Sequence, residues 1–425
     1  MVIKENYMPD MTLSEELQWR GFINQTTFAD LTELDKKEWA FYHGFDASAD
    51  SQTVGNLAAM MCDKVFMRHG HKAIILAGGA TSLVGDPGGK DSERPTQAEE
   101  IILHNVARAE AQLKKVFRGY NFILVNNLDW TKDLRLLDFL RDIGKHFSMT
   151  PLVQRDYIAR RIGEGGGGIS YTEFSYTLLQ GMDYLHLYDN YGVTLQLGGS
   201  DQWGNCLSGV ELIRRVRGAE AHVITLPLVI NKATGKKFGK SEAGAVWLDP
   251  QKTTPTQYYQ FWMNADDDGV EGYLKVFTEL NKADVDEVMR LHREDPKKRI
   301  AQARLADEAT KLLHGEDEWG TAIMVTDLLK GTLPVAHADD DAITAMRKEI
   351  PAVQASAGAE LADVLERSGL ATSKTEARRL LTGNAISLNG QKTQKEHLEE
   401  NDFQNGRLLI RKGKAFKDSA LVEQS

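Results

Sequence analysis

The stretch between residues 39 and 65 is the part of the sequence that most constrains the fold. The apolar run Trp39–Tyr42 predicts a strand, Gly44 and small polar residues predict a loop, and apolar residues at helical spacing from Leu57 predict a helix. A helix start offers unpaired backbone N–H groups and a partial positive charge, and small side chains let an anion approach them. This order of elements therefore predicts a binding site for a phosphate group.

The same alternation of strand and helix continues along the first half of the chain. Helices are predicted at Gln97–Phe117, Ser170–Tyr188 and Trp203–Arg217, between strands at Lys72–Ala77, Phe122–Val125, Leu195–Gln202 (with its turn) and Val223–Val229. Such alternation predicts an α/β fold with a parallel, doubly wound sheet that helices cover on both faces. Ligands of these sheets bind at the carboxyl ends of the strands, where the polar loops of this sequence lie.

Length and composition limit the class of protein. A chain of 425 residues is too long for one hydrophobic core and predicts roughly two to four domains. Its 2 cysteines are too few for a disulfide framework, and no stretch resembles a membrane span or a secretory signal, so we expect a cytoplasmic protein without a membrane partner. The net charge of −10 argues against nucleic acid coating the whole surface, but it leaves room for a local basic face.

The sequence pattern changes after the α/β region. We expect the α/β domain over residues 1–246, an all-helical domain over 247–333, an acidic linker with little secondary structure over 334–358, and a small separate unit over 359–425. The last unit is near neutral, whereas the rest of the chain carries the net negative charge.

The predicted helix Ser170–Tyr188 carries three polar residues on one face, because Tyr176, Gln180 and Asp183 are spaced i, i+4 and i+7. One interpretation is a solvated polar stripe with Asp183 exposed. The other is a pocket wall whose phenol, amide and carboxylate bind an ammonium and a hydroxyl group together.

Two charged loops follow predicted strands. The loop 85–95 begins near Asp86 and contains Lys90 and Arg94, and the loop 235–241 contains three lysines. The second loop is not a Walker loop, because three residues separate its glycines where four are required. Each loop is either an ordinary exposed turn or part of a clamp for phosphate groups.

The sequence shows no signature of a metal or covalent catalyst. Its histidines and cysteines lack metal-ligand spacing, and there is no nucleophile–base pair or nucleophile elbow. A site with many phosphate donors and no covalent catalyst suits displacement at a phosphorus atom, in which positioning and charge stabilisation do most of the work.

Several motifs together resemble one family. They are Leu17–Gly21, Asn24–Thr27, Gly44–Asp46, Gly78–Thr81, Gly85–Pro87, Ser92–Arg94, Thr172–Tyr176, Leu197–Asn205 and Lys237–Ser241. On these motifs the chain resembles a bacterial tyrosyl-tRNA synthetase, a class I enzyme with a Rossmann-like catalytic domain, an all-α domain and a small α+β RNA-binding domain. The resemblance implies that tyrosine and ATP form tyrosyl-adenylate, and that the tyrosyl group then passes to the 3′ end of tRNA(Tyr).

The resemblance also implies roles for individual residues. The tyrosine site would contain Tyr42 and Asp183 at the phenol, Asn127 and Trp130 behind it, Asp86, Tyr176 and Gln180 at the ammonium, and Gln202 near the carboxylate. The ATP site would contain Gly44, Asp46, Gly55, Asn56, Gly199, Asp201 and Lys240. The catalytic groups around the phosphates would be Ser48, Thr53, Lys90, Arg94, Lys237 and Lys240. Mg²⁺ is expected only as the counter-ion of ATP, without a dedicated protein site.

The chain departs from the family at the predicted helix start. The family has His-Ile-Gly-His where this chain has Thr53-Val54-Gly55-Asn56. Thr53 offers a short neutral hydroxyl in place of an imidazole, so we expect an active enzyme that depends more on its cationic loops. His43 and Ala59 stand where family members often contact the ribose, and the sequence leaves their roles open.

The resemblance implies a second protein subunit and an RNA partner. The segment of about 131–170 matches the connective segment through which the family forms homodimers. In the last unit, the residues that would meet tRNA phosphates are Lys374, Arg378, Arg379, Arg411 and Lys412, although the same pattern also fits an ordinary solvated face.

Two other functions fit parts of the sequence. The altered motif at residues 53–56 suits a catalytically weakened, synthetase-like RNA-binding paralogue, and the tryptophanyl relative shares the expected fold. The retained Asp86 and Gln202 argue against the first alternative. The pairing of Tyr42 with Asp183 favours a phenol over an indole and argues against the second.

Overall fold

The structure is a computed structural model, and it describes residues 11–86, 97–154, 156–163, 166–232, 235, 238, 240–241, 244–413 and 418–425. Strands and helices are numbered in chain order. The strands are β1 Gln25–Thr26, β2 Ala40–Asp46, β3 Lys72–Gly78, β4 Phe122–Asn126, β5 Leu195–Gly199, β6 His222–Leu226, β7 Lys240–Ser241, β8 Gly244–Ala245, β9 Ala352–Ala355, β10 Ile386–Leu388, β11 Gln391–Lys392, β12 Arg407–Lys412 and β13 Ser419–Gln424.

The helices alternate with these strands in the first half of the chain and dominate its middle. They are α1 Leu13–Arg20, α2 Val54–Arg68, α3 Gly79–Val84, α4 Glu99–Val116, α5 Leu128–Thr131, α6 Leu136–Asp138, α7 Met149–Val153, α8 Asp156–Ile162, α9 Tyr171–Tyr191, α10 Trp203–Arg217, α11 Pro255–Met263, α12 Val270–Phe277, α13 Lys282–Glu294, α14 Ile300–His314, α15 Glu316–Lys330, α16 Asp340–Glu349, α17 Leu361–Arg367 and α18 Lys374–Thr382. None of the described helices is long and apolar enough to cross a membrane.

Within the described residues, six strands form the main sheet in the order β1-β6-β5-β2-β3-β4. Five of them run parallel, and only the short β1 pairs antiparallel, with β6. This confirms the predicted α/β fold with a parallel sheet. Because β2 lies between β3 and β5, its carboxyl end occupies the middle of the sheet edge at which a ligand is expected.

The two helices beside β2 are fixed by ordinary helix chemistry. In α9 the Ser170 side chain accepts from the N–H of Glu173, and Gly192 ends the helix with a φ of 71°. The inner face of α2 is fully apolar at Leu57, Met61 and Val65, all of which are buried. Burial of these faces against the sheet holds both helices at the strand ends.

The chain divides into two compact units, and the division differs from the predicted boundary at residue 246. The first unit comprises the chain up to Asp249 together with Asp266–Ala301, and the second comprises Pro250–Ala265 and Gln302–Ser425. Helices α12 and α13 therefore belong with the sheet. One reason is that Arg20 of α1 donates to the carbonyl oxygens of Thr278 and Leu280 just after α12, both at 2.9 Å.

The prediction of a linker with little secondary structure over 334–358 is wrong, because this segment contains α16 and β9. The acidic run that suggested a linker is an N-terminal cap: Asp339 accepts from the N–H of Ala342 at 2.7 Å, and acidic side chains stabilise a helix start. The strand β9 is defined by parallel pairing with the distant β13, which no local pattern reveals.

The segment 148–168 contains short helices, α7 and α8. In the second unit, a five-stranded sheet has the order β11-β10-β12-β13-β9. Its apolar core includes Leu361 and Leu365 of α17 together with Leu408 and Ile410 of β12.

Candidate active site

A cavity of about 350 Å³ opens at the carboxyl ends of β2, β3 and β5. Most of the predicted site residues line it: Tyr42, Gly44, Asp46, Ser48, Gly55, Asn56, Asp86, Tyr176, Gln180, Asp183, Gly199, Asp201 and Gln202. The structure thus brings together residues that are far apart in sequence, at the edge of the sheet where a ligand was predicted.

The polar face of α9 forms one wall of this cavity. Tyr176 and Asp183 are buried, and both line the cavity with Gln180. The three side chains therefore form part of a cavity wall, and the solvated stripe with an exposed Asp183 is wrong. Their binding of an ammonium and a hydroxyl group stays a prediction.

The carboxylate of Asp183 is held from behind by two donors. Asn127 Nδ2 and Trp130 Nε1 each donate to one of its oxygens at 2.9 Å, and the Asn127 carbonyl oxygen in turn accepts from the N–H of Ala80 at 2.7 Å. Burial raises the pKa of Asp183 to about 7, because desolvation outweighs the two hydrogen bonds that lower it. The orientation of this carboxylate is thus set by groups outside the cavity.

The cavity contains buried polar atoms with no partner among the described residues. They include the Tyr42 hydroxyl and the Gln180 side-chain carbonyl oxygen. The Tyr42 ring packs against Tyr184 with centroids 5.0 Å apart, and its burial raises the pKa of the Tyr42 hydroxyl well above the usual value. A buried hydroxyl or amide oxygen without a partner is costly, so these atoms fit a ligand that carries hydrogen-bonding groups of its own.

Tyr176 makes a contact that the resemblance does not imply. Its hydroxyl donates to both oxygens of Asp46 at 3.2 Å, and the Thr81 hydroxyl donates to the same carboxylate at 3.1 Å. Burial and then the charge of Asp46 raise the pKa of Tyr176. Asp46 at the end of β2 is thereby tied to α9 and to α3.

Asp86 and Gln202 belong to a chain of side-chain hydrogen bonds. Gln202 Nε2 donates to Asp86 at 2.6 Å, and Asn205 Nδ2 donates to the Gln202 carbonyl oxygen at 3.1 Å. The Thr177 hydroxyl donates to the Asn205 carbonyl oxygen at 2.7 Å. This chain fixes the Asp86 and Gln202 side chains relative to α9.

Thr53 and Asn56 cap the start of α2 between themselves. The N–H and the hydroxyl of Thr53 donate to Asn56 Oδ1 at 2.9 and 2.8 Å. Thr53 does not line the main cavity, but it lines a second cavity that adjoins it. Its hydroxyl donates to a neighbouring carbonyl oxygen, and its role at the phosphate groups stays a prediction.

A second cavity of about 270 Å³ adjoins the first and shares Gly55, Asn56, Ala59 and Gly199 with it. Its remaining wall is mainly apolar and includes Leu228, Val229 and Phe238. Small residues on one side and apolar side chains on the other suit a flat heterocyclic ring.

The predicted cations of the phosphate clamp are outside the described part of the chain. This holds for Lys90, Arg94 and Lys237, and for the side chain of Lys240, whose backbone forms β7 with Ser241. Their roles stay predictions.

The residue-by-residue interpretation missed several polar residues that line the cavity or fix its walls, namely Thr81, Gln196 and Asn205, and it left the role of His43 open. The available signal was a polar residue inside an otherwise apolar strand, as with Gln196 between Leu195 and Leu197. Gln196 is buried, and its carbonyl oxygen has no partner among the described residues.

The predicted RNA-binding residues of the second unit differ in their contacts with the rest of that unit. Lys374 pairs with Asp363 at 2.9 Å and Arg378 with Glu360 at 2.7 Å. Lys412 donates to the Leu370 carbonyl oxygen at 2.8 Å, and Arg411 donates to the Lys330 carbonyl oxygen at 3.4 Å. Arg379 is exposed on α18.

Residues 34–327, which contain the parallel sheet and the polar pocket at its strand ends, match the family described as tRNA synthetases class I (W and Y). Residues 342–417 match the C-terminal domain of tyrosine–tRNA ligases. The chain belongs to the tyrosine–tRNA ligase family, and it is therefore an ATP-dependent aminoacyl-tRNA ligase.

Curated relatives and a solved structure agree with this assignment. The chain is 44% identical to tyrosine–tRNA ligase 2 of Bacillus cereus (strain ATCC 10987 / NRS 248), over 97% of this chain and 100% of that protein. It is 41% identical to the tyrosine–tRNA ligase of Bacteroides fragilis (strain YCH46), over 90% and 92%. The C-terminally truncated mitochondrial tyrosyl-tRNA synthetase of Aspergillus nidulans superposes with a TM-score of 0.67 at 31% identity, over 75% of this chain and 94% of that one.

We predict that the apparent KM for tyrosine falls as the pH rises from 6 to 8. Below its pKa of about 7, Asp183 is protonated and is a poorer hydrogen-bond acceptor for a phenol. Above this pKa it is a carboxylate, which accepts a hydrogen bond from the phenol hydroxyl. The Asp183→Asn variant should lose this pH dependence, and its KM for tyrosine should rise about 10- to 100-fold, the range for one hydrogen bond to a charged group. Steady-state kinetics of adenylate formation measure both effects.

The matched control is Asp189→Asn, on the same helix, whose carboxylate pairs with Arg217 at the surface at 2.8 Å. It should keep the wild-type profile. If Asp183→Asn retained the pH dependence, a different group would be the one that titrates.

Proposed function

We propose that this enzyme binds the tyrosine side chain between β2 and α9, with the phenol between the Tyr42 hydroxyl and the Asp183 carboxylate. The observation that carries this assignment is the buried Tyr42 hydroxyl, which has no partner among the described residues and lines the same cavity as Asp183. The phenol of the substrate can donate a hydrogen bond to the Asp183 carboxylate and accept one from the Tyr42 hydroxyl. One substrate group therefore satisfies both side chains.

The polar groups on either side suit the rest of the amino acid. The Asp86 carboxylate and the unpaired Gln180 oxygen are acceptors for the ammonium group, and Tyr176 stands beside them in the α9 wall. The Gln202 amide, positioned by Asn205, lies next to Asp86 and would face the substrate carboxylate.

In this proposal ATP occupies the other half of the site. The base would enter the apolar second cavity beside Gly55, and the ribose would lie near Gly199 and Asp201. The triphosphate would lie near Asp46 and Ser48, at the start of α2, where a helix start favours anions. The cations of the clamp would add to the positive potential at this helix start. They are Lys90, Arg94, Lys237 and Lys240.

The reaction that fits this arrangement is direct attack of the tyrosine carboxylate on the α-phosphorus, with pyrophosphate as the leaving group. Positioning of two substrates and stabilisation of the developing charge supply the rate enhancement, and no enzyme nucleophile is involved. Mg²⁺ would enter as the counter-ion of ATP. A cytoplasmic location would fit the two buried cysteines, which form no disulfide, and cell fractionation would test it.

We predict tyrosine-dependent ATP–pyrophosphate exchange by the wild-type enzyme, with little activity on phenylalanine or tryptophan. In Tyr42→Phe, kcat/KM for tyrosine should fall about 10-fold and the preference over phenylalanine should narrow, because one partner of the phenol is lost. Rejection of phenylalanine by tyrosyl-tRNA synthetases is a well-known example of such discrimination.

Tyr188→Phe, on α9 but outside the cavity, is the matched control and should behave as wild type. If the wild-type protein bound tRNA but showed no exchange with any amino acid, the weakened paralogue would be the better description.

We also propose that the enzyme is a homodimer through the segment of about 131–170 and the adjoining Tyr171. This segment exposes large apolar side chains close together in sequence: Leu136, Leu137, Leu140, Met149, Ile162 and Tyr171. Leu137 is 76% exposed and Tyr171 68% exposed. An exposed apolar patch of this kind is typical of a protein interface.

We expect Leu137→Glu to convert the dimer to a monomer, because a buried charge without a partner would oppose association. Light scattering coupled to size-exclusion chromatography measures the mass. Ile101→Glu, at an exposed apolar residue of α4, should leave the mass unchanged. A wild-type protein of monomer mass at micromolar concentration would contradict the proposal.

The second unit is proposed to bind tRNA through α18. The exposed ion pairs of Lys374 and Arg378 contribute little to stability, so RNA phosphates can replace Asp363 and Glu360 as partners. Arg379 is already exposed on the same helix.

We predict that Arg379→Glu raises the KM for tRNA about 10-fold and weakens the salt dependence of binding, because one phosphate contact is replaced by repulsion. ATP–pyrophosphate exchange, which needs no tRNA, should be unchanged. Lys348→Glu, an exposed cation of α16, serves as control. Equal effects of the two substitutions would show non-specific attraction and not a defined RNA site.

A further inference from the structure

The cavity wall contains a histidine–carboxylate pair for which the proposed reaction has no role. His43 lies on β2 and lines the cavity, and its Nδ1 is 2.8 Å from Oδ2 of Asp63 on α2. The Asp63 side chain is only 1% exposed, and its second oxygen has no partner among the described residues. A buried carboxylate without a partner is energetically costly, so the contact with His43 is the main constraint on both side chains.

The pairing defines which imidazole atom is available. Because the Asp63 carboxylate accepts a hydrogen bond from Nδ1, the proton of the neutral ring lies on Nδ1, and Nε2 carries a lone pair. Nε2 has no hydrogen-bond partner among the described residues, and the side chain keeps 16% of its surface exposed. At the same level, the neighbouring strands present the apolar Ile75 and Leu197, which offer Nε2 no alternative.

The alternation of side chains along β2 places His43 in the nucleotide half of the cavity. Tyr42 packs against Tyr184 of α9, so the next residue points to the opposite face of the sheet, toward α2. On α2 the cavity is lined by Gly55 and Ala59, and Asp63 follows Ala59 by one helical turn. His43 thus faces the space between these small residues and the sheet.

The position along the strand distinguishes the sugar from the phosphates. His43 precedes Asp46 by three residues, which is about 10 Å of strand. The phosphates are expected beyond the strand end, at the start of α2. Of the described residues that line the cavity, His43 alone carries an imidazole, and Thr53 and Asn56 are engaged with each other.

We propose that Asp63 is a positioning residue that holds His43 so that its Nε2 hydrogen-bonds a hydroxyl group of the ATP ribose. This inference rests on the proposed function of the cavity and adds a residue outside the cavity wall to the machinery for nucleotide binding. A hydroxyl suits this position because it donates to the neutral ring and accepts from the protonated one. Burial lowers the pKa of His43, but the charge and hydrogen bond of Asp63 outweigh it and raise the pKa above the usual value of a histidine.

The test is the kinetics of ATP–pyrophosphate exchange in the full-length enzyme. In Asp63→Asn and in His43→Ala, the KM for ATP should rise about 10-fold, while the KM for tyrosine stays within about twofold. The double variant should be no worse than His43→Ala, because Asp63 acts through the ring. With 2′-deoxy-ATP or 3′-deoxy-ATP, one analogue should bind the wild type more weakly and should be insensitive to His43→Ala.

A matched control is the ion pair between Lys64, on the same helix as Asp63, and Glu279. Their charged atoms are 2.8 Å apart, and neither residue lines the cavity. Glu279→Gln should leave both KM values unchanged. Unchanged ATP kinetics in His43→Ala, or KM values for ATP and tyrosine that rise together, would overturn the proposal. Equal sensitivity of both deoxy analogues and ATP to His43→Ala would also overturn it, in favour of a phosphate contact. An inactive wild type would instead contradict the proposed function itself.

Discussion

The hydrogen bonds to the buried Asp183 carboxylate are the interaction on which the amino-acid half of the site depends. A carboxylate in apolar surroundings is tolerated only with donors at close range. Both donors, Asn127 and Trp130, come from the residues that follow β4, and Asn127 is itself anchored to α3. These hydrogen bonds connect helix α9, the end of β4 and the start of α3, so the proposed phenol site has its carboxylate positioned without a ligand.

The part of the site proposed for the nucleotide is constructed differently. Its walls are the start of α2, the glycine-rich end of β5 and apolar residues beyond β6. A Cβ on Gly199 would lie 2.6 Å from Asp201 Oδ1, so a larger residue here would displace this carboxylate. Close approach of a side chain to the backbone is thus one feature of this part of the site.

The parts of the molecule that depend on local pattern were predictable from sequence. The parallel sheet followed from apolar runs alternating with helices, and the α9 wall followed from the spacing of Tyr176, Gln180 and Asp183. Contacts between distant side chains were not predictable, such as that of Tyr176 with Asp46, and neither was the capping of Thr53 by Asn56. Threonine and asparagine can contact a phosphate group, but they also cap helices. Only the structure shows which of these contacts the side chains make.

The strand β13 pairs with β12 on one side and with β9 on the other, so it occupies the interior of the second sheet. Until residues 419–424 have been synthesised, β9 has no neighbouring strand and the apolar face of α16 has only part of its packing surface. The first unit contains no segment beyond Ala301 and can complete its core earlier. Synthesis on the ribosome therefore imposes an order in which the synthetase fold matures first, and the second unit depends on long-range pairing that forms slowly.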